Sequence, residues 1–302
     1  MSEKTENVSS QIFSESARAK INLYLHVTGK RADGYHLLDS LAVFAEACDE
    51  LLYEPGDEEL RLELTGRFGA PLGQDAAGQN NLVMKAAAMV QAAAGGAAKV
   101  PGGRLVLRKE LPVASGIGGG SADAAAALRL LSRAWQVEPD SEALSLMAEK
   151  LGADVPVCLD SRAARMEGIG EKLSDAPALP PSCGILLVNC GVAVSTPEIF
   201  RRRDGHFVPR ADLPDAWPDA QSLAGFLSLQ SNSLQDAACL VCPPVRDVLN
   251  VLADIPDNLL VRMSGSGATC FAIFPDDATA RQAAYSLSRN RPEWWVWGGG
   301  FC

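Results

Sequence analysis

The sequence lacks the two commonest nucleotide-binding signatures. No Gly-x-x-x-x-Gly-Lys-Ser/Thr segment occurs in its 302 residues, which excludes a Walker A loop. A Gly-x-Gly-x-x-Gly fingerprint is also missing, because Ser121 stands where the third glycine would follow Gly116 and Gly118. A phosphate site in this chain must therefore be of another kind.

Basic residues and long apolar segments are also scarce. Lys and Arg number 27 against 37 Asp and Glu, a formal net charge of −10, so we expect neither a nucleic acid nor an anionic membrane as partner. Residues 1–6 are polar, which argues against a signal peptide. The apolar stretch 184–194 is too short to span a bilayer. We expect a cytosolic globular protein.

The eight cysteines form no metal-binding pattern. Cys239 and Cys242 make the one Cys-x-x-Cys pair, with no second pair or nearby histidine to complete a zinc site. Buried thiols are the better interpretation.

Glycine, in contrast, is concentrated in one place. Gly116, Gly118, Gly119 and Gly120 fall within five residues and lead into Ser-Ala-Asp-Ala, a helix start. Unpaired N–H groups and the positive end of the helix dipole make such a junction a phosphate site. A flexible linker or a tight strand–helix turn is the alternative interpretation.

Four other polar residues, in or next to predicted strands and helices, are candidate site residues. Lys20 and Asn22 share one side of an alternating strand over 19–27, and from these residues alone an exposed polar face is the better explanation. Asp154 lies between a helix ending at Gly152 and a predicted apolar strand, as a turn residue or a buried functional carboxylate. Lys109 is a nucleotide contact or a solvated lysine at a strand end.

Several segments together resemble the GHMP small-molecule kinases. The glycine segment is similar to their central motif, Pro112-x-x-x-Gly116-Ile-Gly-Gly-Gly-Ser121-Ala. Further similar segments follow the family's order from about residue 17 to about 274: Ala19-Lys-Ile-Asn-Leu23, Gly29-Lys-Arg-x-Asp-Gly-Tyr-His36, Gly152-Ala-Asp-Val-Pro-Val157, Thr196-Pro-x-Ile-Phe200 and Ser264-Gly-Ser-Gly-Ala268. Gly34-Tyr-His36 resembles the branch that recognises a cytidyl group.

The resemblance implies an α+β fold in two domains, a ribosomal-S5-like N-terminal domain over 1–165 and a ferredoxin-like C-terminal domain over 166–302. It implies an ATP-dependent kinase, with Mg²⁺, acting on a small molecule that carries a cytidine diphosphate group, in isoprenoid precursor biosynthesis. We expect a monomer or weak homodimer.

The resemblance also implies roles for residues. The catalytic pair is Lys20 and Asp154, and Ser121 is a Mg²⁺ ligand or phosphate donor. ATP contacts are expected from Asn81, Leu82, Pro112, Val113, Ala114, Ser115, Gly116, Ile117, Gly118, Gly119, Gly120, Ser121 and Ala122. Substrate contacts are expected from Asn22, Tyr35, His36, Thr196 and Phe200.

Some features depart from the family pattern. Ala42 replaces a phenylalanine of some relatives, and the polar loop 201–219 aligns with no family segment. Two rival functions stay open: a GHMP kinase for another small alcohol, such as mevalonate or homoserine, and a catalytically inert nucleotide-binding module.

Overall fold

A computed structural model describes residues 11–137 and 139–302; residues 1–6, on which the argument against a signal peptide depends, lie outside them. The strands are β1 (Phe13–Lys30), β2 (His36–Gly56), β3 (Arg61–Thr65), β4 (Gly102–Arg108), β5 (Ala164–Gly168), β6 (Lys172–Asp175), β7 (Gly184–Asn189), β8 (Leu260–Met263), β9 (Thr269–Phe274) and β10 (Trp295–Gly300). The helices are α1 (Gly66–Gly69), α2 (Leu82–Ala93), α3 (Gly119–Ala134), α4 (Ser141–Leu151), α5 (Val155–Asp160), α6 (Thr196–Arg202), α7 (Ala220–Ser228), α8 (Gln235–Val241), α9 (Pro244–Ala253) and α10 (Asp277–Asn290).

The strands form two sheets. The first has the order β3-β4-β2-β5-β6, and β1 pairs with β2; the β3–β4 pair is parallel and the others are antiparallel. The second is antiparallel with the order β10-β7-β9-β8. Because β5 and β6 belong to the first sheet, that sheet extends to Asp175. The domain division after residue 165 stays a prediction.

Three apolar clusters hold these layers together. One lies between the first sheet and α2 to α5, and a second between the other sheet and the helices α6 and α8 to α10. The third joins the two sheets, where Ile21 and Leu23 of β1 pack in one cluster with Ile185 and Phe271. The burial of β1 from both sides follows from this arrangement.

Two expectations for single elements are wrong. β1 does not have one exposed polar face, because Lys20 and Asn22 are each only 3% exposed. The segment after Asp154 is the helix α5 and not a strand, and its Pro156 stands in the first turn, where a missing N–H costs no helical hydrogen bond. No helix in the described ranges combines the length and apolarity needed to cross a membrane.

Candidate active site

One large cleft, of about 1310 Å³, brings the predicted site residues together. It lies where the end of β1, the start of α3, and α6 approach one another. The predicted residues that line it are Lys20, Asn22, Tyr35, His36, Asn81, Leu82, 112–116, 118–121, Asp154, Thr196 and Phe200. Ile117 and Ala122 are buried in the core instead, 0% and 2% exposed, and do not line it.

The glycine segment ends in the predicted helix start. Gly118 precedes α3 in the left-handed conformation, with φ +66°, and no side chain among the described residues caps the helix. The first helical N–H groups, from Gly119 onward, therefore point toward the cleft without a side-chain acceptor. This geometry suits an anion, because the N–H groups and the helix dipole both favour negative charge.

A second glycine loop, 264–268, supports the first. It connects β8 to β9, and the Ser264 hydroxyl donates to the Gly116 carbonyl over 3.0 Å. Gly116 has φ +75°, and a Cβ there would stand 2.5 Å from the Ser264 carbonyl oxygen. Only glycine fits this approach of two backbones. The loop is a tight connection between two antiparallel strands, and its Gly265 and Ser266 also line the cleft.

Lys20 and Asp154 form an ion pair, with 3.0 Å between Lys20 Nζ and Asp154 Oδ2. The lysine side chain is 4% exposed and the aspartate side chain 40%. Asp154 stands at the N-cap of α5 but makes no side-chain cap hydrogen bond. Its carboxylate therefore faces the cleft and is open to a ligand, while the lysine is held below it by the strand.

Backbone contacts fix Lys20 and its neighbour Asn22. The Lys20 N–H donates to the Ile117 carbonyl over 3.0 Å, and the Asn22 N–H donates to the Ser264 hydroxyl over 3.1 Å. Asn22 Nδ2 donates to Ser40 Oγ over 2.8 Å. Among the described residues, the buried Asn22 Oδ1 has no donor, so it can accept a hydrogen bond from a ligand in the cleft.

Lys109 lines the cleft but is not solvated, since it is only 6% exposed. Its Nζ lies 2.6 Å from Asp49 Oδ2 and 2.6 Å from Asp123 Oδ2, and all three residues are buried. Asp49 Oδ1 also accepts from the N–H groups of Glu110 and Leu111. Burial raises the pKa of the Asp123 carboxyl above its usual range, although Lys109 acts in the opposite direction. This triad joins β2, the end of β4 and α3 around the glycine segment.

Aromatic rings form the opposite end of the cleft. The His36 and Phe200 rings stack with their centroids 5.0 Å apart at 21°. Tyr35 is 61% exposed at the rim. Thr196 and Phe200 lie four residues apart on α6 and so share a face, and the Thr196 hydroxyl lies 2.7 Å from that of Ser266. This end suits a planar ring.

Asn81 has a structural task beside the glycine segment. Its Oδ1 accepts from the Val83 N–H over 2.9 Å and its Nδ2 donates to the Ala76 carbonyl over 2.8 Å. It therefore caps α2, and it lines the cleft together with Leu82. Ala42 does not line the cleft and is buried in the core of the first half.

Comparison with known proteins identifies the family. The model of the GHMP kinases N terminal domain matches residues 81–162, and that of the GHMP kinases C terminal matches 217–293. A 4-diphosphocytidyl-2-C-methyl-D-erythritol kinase of Gluconacetobacter diazotrophicus is 57% identical over 291 residues, which are 95% of this chain and 94% of that protein. The chain belongs to the GHMP kinase family.

Solved structures agree with this membership. A crystal structure of 4-(cytidine 5'-diphospho)-2C-methyl-D-erythritol kinase has a TM-score of 0.74 at 31% identity, covering 95% of this chain and 98% of that one. A mevalonate kinase of L. major, in complex with R-mevalonate, has a TM-score of 0.69 at 17% identity over 100% and 99% of the two chains, and so shares the fold. The predicted α+β, two-domain GHMP kinase fold and the prediction of a kinase are confirmed, and membership implies ATP as phosphate donor.

The sequence analysis missed several residues of this GHMP kinase's cleft. Asp123 lines it, and its place in the Ser-Ala-Asp run after the glycines was an available signal. Lys30, Arg201, Arg203 and Phe207 also line it. Arg203 and Phe207 belong to the loop after α6, whose position no pattern indicated, and Arg201 lies in α6.

Proposed function

We propose that this GHMP kinase phosphorylates the 2-hydroxyl of 4-diphosphocytidyl-2-C-methyl-D-erythritol, a step of the methylerythritol phosphate route to isoprenoid precursors. One observation carries the proposal: the Lys20–Asp154 pair, at 3.0 Å, shares a single cleft with a helix start that no side chain of the described residues caps and with a stacked aromatic pair. The relative that is 57% identical to this chain, over almost its full length, is named as this kinase.

The proposed reaction is a direct transfer. Asp154 accepts the proton of the substrate hydroxyl while that oxygen bonds to the γ-phosphorus and the bond to ADP breaks. Lys20 stabilises the negative charge on the carboxylate and on the attacking oxygen. The N–H groups at the start of α3 hold the phosphates, so that catalysis depends mainly on positioning and charge.

Mg²⁺, when bound, neutralises part of the triphosphate charge. The described residues contain no group of three or more His, Cys, Asp or Glu that could hold a metal. This fits an ion that takes few protein oxygens and keeps several waters. Ser121 is partly exposed in the first turn of α3 and lines the cleft, so its hydroxyl is the proposed protein ligand.

The roles proposed for the substrate end follow from its geometry. Tyr35, His36 and Phe200 would enclose the cytosine ring, because stacking suits a flat, weakly polar base. Asn22 would accept a hydrogen bond through its unpaired Oδ1.

An ADP-release assay with a panel of alcohols tests the proposal. We expect turnover with the cytidyl substrate and none with mevalonate or homoserine.

Asp154→Asn and Lys20→Met should each lower kcat by about 10²–10⁴-fold, with ATP binding retained. Asp160→Asn is the matched control, since this exposed aspartate ends α5 outside the cleft. Turnover of Asp154→Asn near that of the wild type would exclude Asp154 as the catalytic base. ATP binding without turnover on any alcohol would favour the inert module, and turnover with mevalonate alone would favour the rival kinase.

A further inference from the structure

We propose that Arg203 binds the diphosphate group of the substrate and thereby distinguishes a nucleoside diphosphate from a nucleoside. The inference rests on the proposed function and extends it to a residue outside the family motifs. Arg203 immediately follows α6, in the loop that aligns with no family segment, and it lines the cleft.

Arg203 has hydrogen-bonding capacity that the described residues do not use. Its Nε is buried and has no acceptor among them. One Nη donates to the His206 carbonyl, and the guanidinium lies 5.2 Å from the centroid of the Phe207 ring. A guanidinium has five N–H donors in a fixed plane and matches phosphate oxygens well. A buried donor without an acceptor costs free energy, which a phosphate oxygen would recover.

Positive charge is concentrated at this end of the cleft. Lys30 and Arg201 line it together with Arg203, in a protein whose net charge is −10. Asp33, an acidic side chain of the lining, already pairs with Arg31 over 2.7 Å. Local cations in an acidic protein indicate an anionic ligand at that place.

These cations stand beside the aromatic end. Lys30 pairs with His36 across β1 and β2, and Arg201 and Arg203 follow Phe200 at the end of α6, so the cations lie beside the stacked rings. Burial lowers the pKa of His36, and the charges of Arg203 and Lys30 act in the same direction. The phosphates of a nucleoside diphosphate follow directly on the nucleoside. If the base stacks at His36 and Phe200, its phosphates must pass these side chains on the way to Asp154.

The segment that follows Arg203 in the chain, residues 208–211, is held in place by hydrogen bonds. The Val208 N–H donates to the Val27 carbonyl over 2.9 Å, and the His26 ring nitrogen Nδ1 lies 2.9 Å from the Pro209 carbonyl. The Ala211 N–H donates to the buried Asp39 carboxylate over 2.7 Å. Arg203 is thus bracketed between α6 and an anchored segment, which limits the freedom it must lose on binding.

Competition by cytidine and by CDP in the ADP-release assay tests the role. The wild-type protein should bind CDP more tightly than cytidine. Arg203→Gln should reduce that preference by about 10- to 100-fold, the loss expected for charge-assisted hydrogen bonds. Its inhibition by cytidine and its KM for ATP should change less than about twofold, which also shows that the variant is folded. Arg203→Lys should restore part of the preference, since it keeps the charge.

Arg202→Gln is the matched control, because this neighbouring arginine is exposed and does not line the cleft. An unchanged preference for CDP in Arg203→Gln would overturn the inference. An equal loss of cytidine and CDP would also overturn it, since Arg203 would then support the base end only. A wild-type protein that binds neither compound would refute the proposed function itself, and this inference with it.

Discussion

Replacing Lys109 by methionine should destabilise the protein strongly, because its ammonium holds two buried carboxylates. Methionine keeps the length and apolar stem of the side chain but removes its ammonium. That ammonium makes two 2.6 Å ion pairs with Asp49 and Asp123, whose side chains are 0% and 5% exposed. The variant would leave two carboxylates facing each other in the core.

The expected size of the effect follows from this burial. Removing one partner of a buried ion pair costs about 3–5 kcal/mol, because the remaining charge is left without compensation. A surface lysine substitution changes stability by about 0.5 kcal/mol or less. The loss is a large part of the total, since domains of this kind are stable by about 5–15 kcal/mol.

The destabilisation should depend on pH with a definite sign. Burial, followed by the charge of Asp49, raises the pKa of Asp123, and Lys109 lowers it. Without the lysine that pKa rises further, so the folded variant binds a proton that the unfolded chain releases. Its stability then falls as pH rises through the folded pKa, by up to about 1.4 kcal/mol per pH unit. The difference in the free energy of unfolding between Lys109→Met and the wild-type protein should therefore be larger at pH 8 than at pH 6.

Urea unfolding at pH 6 and pH 8 measures both quantities from midpoints and slopes. Lys99→Met, at an exposed position, is the matched control and should stay close to the wild type. The double variant Lys109→Met with Asp123→Asn should be less destabilised than Lys109→Met alone, since one buried charge is gone. A loss below about 1 kcal/mol, or one independent of pH, would refute this account of the triad.

Two further predictions concern the cleft. Gly116→Ala should raise the KM for ATP and lower the free energy of unfolding by more than about 1 kcal/mol, because a Cβ would meet backbone atoms of the 264–268 loop at 2.5–2.8 Å. The control is Gly225→Ala on α7, where the space around the glycine is open and the substitution should be neutral or stabilising. Equal effects of the two substitutions would contradict the argument. His36→Ala should raise the KM for the cytidyl substrate by about tenfold, as expected when a stacking partner of a base is lost, with the KM for ATP unchanged. A KM for that substrate equal to that of the wild type would exclude His36 from base recognition.

The sequence predicted the elements that short-range patterns encode. The glycine segment and the helix start behind it appear at the expected positions, because turn and helix-start conformations depend on a few adjacent residues. The sequence predicted β1 as a strand. It did not predict that β1 is buried on both sides, because that burial depends on the second sheet, which packs against it. The helix α5 was missed because Val155, Val157 and Leu159 alternate as in a strand, while a six-residue helix shows too little periodicity to compete.

The parts of the site that the sequence did not predict share one cause. Asp49, Lys109 and Asp123 are brought together from positions 60 and 14 residues apart, and nothing in any one of their segments indicates the other two. The loop after Arg203 is anchored at Ala211, whose N–H donates to the buried Asp39 carboxylate; Tyr24 and Arg165 donate to the same carboxylate. Such contacts depend on tertiary structure alone. A family motif locates a residue only where relatives share it.

The contacts of β1 explain why the two halves of the molecule form one site. The Lys20 N–H binds the glycine segment and the Asn22 N–H binds Ser264 of the second half, while the side chain of Lys20 reaches Asp154. The strand therefore contacts the glycine segment, the proposed base and the second glycine loop directly. Since the Ser264 hydroxyl also donates to the Gly116 carbonyl, the glycine segment is held between β1 of the first sheet and the 264–268 loop of the second.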